Sequence, residues 1–205
     1  MPMRKILTTF LCLASINSNA ASFVQDFTAA ALERTSKQIT YDGSYIAIPY
    51  PNGDVPAHIG VCTDVVIRSY RALGIDLQRL VHEDMRSNFN LYPSKRIWGL
   101  TSTDKNIDHR RVPNLQTFFA RNGVELAITN NKEDYQPGDL VTWMLPGNLP
   151  HIGIVSNKVS PSTGNPLIVH NIGAGPKLED MLFAYKITGH FRYEPASYKQ
   201  PTEES

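Results

Sequence analysis

One change of pattern constrains this chain more than any other. Up to Gln136 the apolar residues recur at helical spacing; beyond it they fall into short runs separated by turn residues. Pro137-Gly138-Asp139 and Pro146-Gly147-Asn148 are turns, and the run between them, residues 140–145, reads as a strand. Residues 151–156, 166–172 and 183–193 read as further strands, with a hairpin loop at 160–165. Helices first and hairpin-linked strands afterwards specify an α+β fold with an antiparallel sheet.

Upstream, the clearest helix starts at Cys62. Val65, Val66, Ser69, Tyr70 and Leu73 follow at helical spacing as a buried stripe, and Gly74 supplies the stop. Residues 21–37 and 77–87 give two more helices, the latter capped by Asp76, and a third begins at Val112 and ends at Gly123. Residues 40–60 are so rich in Gly, Pro and Tyr that they read as a long loop packed beside the domain; 88–111 reads as a polar, turn-rich stretch.

Arg4 and Lys5 precede an apolar run, residues 6–16, which leads into Ser18-Asn19-Ala20. That is the layout of a secretory signal peptide cleaved after Ala20, and the run is short for a membrane span. The expected organisation is a leader at 1–20, a helical segment at 21–39, one domain at 40–193 and a frayed polar tail at 194–205. The expected location is the periplasm or outside the cell, as a monomer with no stable membrane span after processing. A net charge of +1 without a basic run excludes nucleic acid as the main partner. Loss of the leader removes Cys12 and leaves Cys62 as the single cysteine. Exported proteins mostly pair their cysteines, so a lone thiol is an inert buried residue, a bridge to another chain or a reactive group.

Its position favours reactivity. Free N–H groups and the dipole at a helix start favour an anion, and are expected to lower the thiol pKa from about 8.5. His151 and His170 lie in neighbouring predicted strands and can face the sulfur from one side, as a base and the group that orients it. Asn171 is the alternative orienting group; adjacent strand residues point to opposite faces, so only one of the two serves directly. Asp64 either caps the helix or meets a substrate amine. Tyr45 is the candidate hydroxyl donor near the cysteine. His82, Glu83, Asp84, Asp104, Asp108 and His109 lack metal-ligand spacing. They are expected to be solvated, paired with nearby arginines (Arg86, Arg110, Arg111) or part of a specificity subsite, and neither a metal nor a cofactor is expected.

Taken in order, Cys62 opening a helix, Gln136-Pro137-Gly138-Asp139-Leu140-Val141, His151-Ile152-Gly153-Ile154-Val155 and Ile168-Val169-His170 resemble the NlpC-type branch of the papain-like cysteine peptidases. Gly-Val-Cys-Thr-Asp at 60–64, His-Glu-Asp-Met at 82–85, Asn-Ile-Asp-His-Arg-Arg-Val-Pro-Asn-Leu at 106–115 and Val-His-Asn-Ile-Gly at 169–173 resemble an uncharacterised family of bacterial exported proteins related to that branch. The chain departs from the branch in having Val61-Cys62-Thr63-Asp64 where Asp-Cys-Ser-Gly is usual, a longer connection between the histidines, and the added segment 75–115. The resemblance implies a papain-like fold and a Cys62–His151–His170 triad. It implies hydrolysis of an amide bond, with peptidoglycan stem peptides as substrate. An acyl transferase or lipid-directed thiol enzyme on the same scaffold, and a non-catalytic cell-wall binding module, are the alternatives.

Overall fold

A computed structural model describes residues 16–198. Most of the expected leader, and the tail from residue 199 on, lie outside them. Among the described residues no helix is long and apolar enough to cross a membrane.

The first helix, α1, is Ile16–Arg34. It ends before the predicted residue 37 because Thr35 and Ser36 turn their hydroxyls, as well as their N–H groups, onto the carbonyls of Leu32 and Glu33. Its Phe23, Phe27 and Ala31 are buried in the main core, so this segment is built into the domain. The 40–60 loop carries two short strands, β1 (Thr40–Tyr41) and β2 (Ile59–Gly60), paired in parallel. Two-residue strands leave no periodicity for a sequence reading to find.

Helix α2, Cys62–Ala72, follows directly. Gly74 takes a left-handed φ of 75°, which returns the Ile75 N–H to the Tyr70 carbonyl and closes the helix. The sequence predicts one buried stripe; in fact every residue from Cys62 to Tyr70 is buried. The polar side is covered too, because each group there has a partner: Asp64 meets Arg110, Arg68 meets Asp54, and Thr63 donates to the Arg110 carbonyl. Tyr70 is fully buried against Phe27 and Phe119 and donates its hydroxyl to the Tyr193 carbonyl at 2.8 Å. Helix α3, Leu77–Asn88, is capped by Asp76, which accepts from the Arg79 N–H. The polar stretch after it is more ordered than predicted: it holds α4 (Ser94–Trp98) and 3₁₀ turns at Phe89–Leu91 and Asp108–Arg110. Helix α5 is Val112–Asn122, with Pro113 in its first turn.

The strands are β3 (Val124–Glu125), β4 (Leu140–Leu145), β5 (Leu149–Val159), β6 (Pro166–His170), β7 (Lys177–Glu179) and β8 (Lys186–Arg192). They form one sheet in the order β3-β8-β4-β5-β6-β7, every neighbouring pair antiparallel. The fold is thus α+β with an antiparallel sheet. Sequence reading missed β3 and β7, made β5 too short and carried β6 two residues too far.

Side-chain alternation divides the sheet cleanly. Leu140, Ile152, Ile154, Val169 and Phe191 face the helices in the main core. Val141, Trp143, Val155 and Ile168 face the other way, against Tyr135, Met181 and Leu182. The Pro-Gly-Asp turn has a structural reason. Gly138 takes φ 88°, and fully buried Asp139 accepts from the Gln136 N–H, His190 Nε2 and the Arg192 guanidinium. One carboxylate thereby ties the start of β4 to the end of β8.

Candidate active site

Cys62 is the first residue of α2, and only 5% of it is exposed. Its sulfur lies against the N–H groups of Ile152, Thr63 and Cys62 itself. The Ile152 contact follows from strand lengths. The pairing of β5 with β6 begins at Ile154↔Val169, so the earlier residues of β5 have no strand on that side. The thiol meets β5 there, one residue along from His151; the rings of His151 and His170 lie on the other face of the sheet, with Trp143 and Ile168.

The electrostatics differ from the sequence expectation. The helix start does present N–H groups, but burial outweighs them and pushes the Cys62 thiol up to about 11, with the Asp64 charge adding to the rise. His151 is 2% exposed, and burial brings its imidazole down to about 3, helped by His170. His170 is lowered as well, by burial, against the pull of Glu179. The resting site therefore holds a thiol and neutral imidazoles, not a thiolate–imidazolium pair.

The structure brings His151 and His170 together: His151 Nε2 lies 3.2 Å from His170 Nδ1 with the rings edge-on. Gly153 makes room for this. A Cβ there would stand 2.6 Å from Ile168 Cγ2 and 3.1 Å from His170 Cβ. Beyond His170, its Nε2 meets Glu179 Oε2 at 3.0 Å. No motif marks Glu179, and it is carried by a strand that sequence reading missed. Asn171 points away from the histidines, as strand alternation requires, and its amide reaches back toward the Gly60 carbonyl at 3.4 Å. It ties the end of β6 to the chain leading into Cys62.

Asp64 is a cap, not an amine receptor. Its Oδ2 accepts from the Val61 N–H at 2.7 Å, closing half of a capping box, since valine has no side-chain acceptor to complete the other half. Arg110 then grips both carboxylate oxygens at 2.9 Å, with each side chain only 3% exposed. The added segment thus has one identifiable task, which is to bring Arg110 to the first turn of α2.

Tyr45 is not at the site. It is 59% exposed and its hydroxyl binds Asn106 Nδ2 at 2.8 Å and Asp104. The tyrosine whose phenol feels the Cys62 charge is Tyr41, on β1. Burial, then the charges of Cys62 and Asp64, push its phenol up to about 12, so it stays a hydrogen-bond donor. Tyr41 pairs with Gly60, two residues before the cysteine, a register that the sequence alone does not disclose. The acidic cluster is dispersed among ion pairs: Asp84 with Arg121 and Asp108 with Arg111. His109 is buried near Asp64 and Arg110, and burial brings it down to about 3.

Comparison with known proteins places this geometry in a lineage. A protein of Escherichia coli (strain K12), "Uncharacterized protein YijF", is 50% identical over 163 residues, spanning 80% of this chain and 78% of that protein. The family described as Domain of unknown function (DUF1287) matches residues 28–193, which takes in α2 and all of the sheet, and the chain belongs to that family.

Proposed function

We propose that the protein is an exported papain-like thiol hydrolase that cleaves an amide bond in peptidoglycan stem peptides. One observation carries the reading: a cysteine opens a buried helix against the Ile152 N–H, next to a strand whose His151 is hydrogen-bonded to His170. The order of parts, a helix bearing the cysteine packed on an antiparallel sheet bearing the histidines, supports the papain-like assignment.

In this reading the Cys62 sulfur attacks the carbonyl carbon as His151 takes its proton. The C–N bond of the resulting tetrahedral adduct then breaks, and His151 returns the proton to the leaving amine. Water hydrolyses the thioester by the same route. Because the resting pair is neutral, the proton moves during attack, which is general-base catalysis. The Tyr41 hydroxyl and the Cys62 N–H are the candidate donors to the oxyanion.

Incubation of the protein, and of Cys62→Ala, with purified peptidoglycan, acyl esters and acceptor amines, followed by mass spectrometry, tests the proposal. Cys62-dependent release of stem-peptide fragments is the expected result. Acyl transfer to the amines without cleavage would move the assignment to a transferase. Binding of the wall without any product would move it to a binding module.

A further inference from the structure

We propose that Glu179 is a positioning residue for this site: it holds His170 in the tautomer that leaves His151 able to accept the thiol proton. The inference rests on the thiol-hydrolase reading for its catalytic meaning, but its geometry stands independently. A carboxylate only accepts, so His170 Nε2, 3.0 Å from Glu179 Oε2, carries a hydrogen. In a neutral ring Nδ1 is then a bare lone pair. His151 Nε2, 3.2 Å away, must therefore donate to it. A neutral His151 with hydrogen on Nε2 has its own lone pair on Nδ1, the nitrogen left to take the proton of Cys62. Reversing the first bond reverses them all. If His170 Nε2 has no acceptor, Nδ1 of His170 can carry the hydrogen instead. His151 Nε2 then accepts, and its Nδ1–H has nothing to offer a thiol.

The fold supplies Glu179 deliberately placed. β7 pairs His170↔Lys177 and Ile168↔Glu179, so all four residues share one sheet face and Glu179 reaches His170 on the diagonal. Lys177 Nζ stands 3.8 Å from the other carboxylate oxygen. Gly173 and Gly175, at φ 87° and 83°, turn the chain so that this strand can return along β6.

The test uses ¹⁵N-histidine-labelled protein, with long-range ¹⁵N–¹H spectra to read which nitrogen of each ring is protonated, and the rate of Cys62 alkylation by iodoacetamide. In the wild type and in Glu179→Gln, whose amide oxygen still accepts, His170 should carry its hydrogen on Nε2. In Glu179→Ala the two tautomers should mix. In Glu179→Lys, which can only donate, the Nδ1–H form should dominate. Alkylation should slow several-fold in the alanine and lysine variants, part of the roughly 10²–10⁴ that a positioned base is worth, and recover in glutamine. Glu179 is half exposed on an edge strand, and the lysine variant keeps the test decisive if alanine disturbs the strand. An unchanged Nε2–H tautomer in both variants, with unchanged alkylation, would overturn the proposal. Neither readout needs turnover, so absence of wall cleavage removes the hydrolase reading without touching this one.

Discussion

Lowering the pH from about 7.5 to about 5 should destabilise the fold through buried histidines, by an amount that follows from where their protons go. His151 and His109 are each 2% exposed, and burial holds both near 3. Unfolding returns each to about 6.5. The folded value is the depressed one, so the unfolded chain binds more protons, and stability present above about 6.5 is lost as pH falls toward 3. At about pH 5 the deficit is roughly 1.5 pH units per histidine, or about 2 kcal/mol each. Asp108 works in the opposite sense. Burial raises its carboxyl to about 6, so acid relieves a cost between 6 and its ordinary 3.8. That returns about 1.4 kcal/mol by pH 5. The three groups together leave a net loss of roughly 2.5 kcal/mol, a large share of the about 5–15 kcal/mol that holds a domain. Urea unfolding at both pH values of wild type, His109→Gln and His151→Gln measures it. Each variant carries its own fixed cost but should lose about 2 kcal/mol less on acidification. His109→Gln is the cleaner case, since no other histidine contributes to the His109 shift. Acid losses in the variants within about 0.5 kcal/mol of wild type would refute the assignment of neutral buried imidazoles.

Alkylation of Cys62 should be slower near neutral pH than that of a free thiol and climb toward pH 11, because burial holds the thiol there; a rate already on its plateau at neutral pH would contradict a neutral resting pair. Arg110→Ala should cost about 3–5 kcal/mol in urea unfolding, since it strands a buried Asp64 carboxylate, and a loss under about 1 kcal/mol would show that the pair is not needed. Gly153→Ala should cost about 1–3 kcal/mol and change the His151 and His170 resonances, because its Cβ meets Ile168 and His170; an unperturbed spectrum would refute the crowding argument. Tyr41→Phe should lower turnover by about 10²–10³ if its hydroxyl meets the oxyanion while Tyr45→Phe leaves it unchanged, and the reverse ranking would restore Tyr45 to the site.

What the sequence discloses here follows from range. Helices α2, α3 and α5 were legible because each combines a local periodicity with a local stop, such as Gly74 after α2. β4 was legible to the residue because turns bound it on both sides. Cys62 opens one of those helices; His151 and His170 lie on β5 and β6, whose middles were legible though their ends were not. Glu179 and Tyr41 could not be named, since each sits on a strand of three residues or fewer, too short to show a period. Arg110 was visible as a neighbour of an acidic cluster, but its partner, Asp64, lies 46 residues away on another helix. The thiol pKa was misjudged because a helix start is a local feature and burial is a property of the whole fold.

Histidine chemistry in this fold can be sorted by asking what each ring nitrogen faces. His190 is as buried as His151, at 1% exposed, and lies 2.8 Å from a buried carboxylate, an arrangement that looks catalytic when read alone. Yet its Nδ1 faces the Ala127 carbonyl at 3.1 Å and its Nε2 faces Asp139, so both nitrogens are committed to acceptors. A ring so placed turns neither nitrogen toward a nucleophile, and the stacked Tyr135 ring, 4.3 Å away, closes one of its faces. It braces β4 against β8. His170 is committed in a different way: one nitrogen faces an acceptor and the other faces a second imidazole. That asymmetry gives the pair a direction, ending at His151 Nδ1. The same polar ingredients therefore build a brace at one end of the sheet and a directed line at the other. The difference is whether both ring nitrogens end on fixed acceptors or one is left for a further partner. The sequence does not disclose this, because Ala127, Asp139 and Glu179 reach their histidines only once the sheet is assembled.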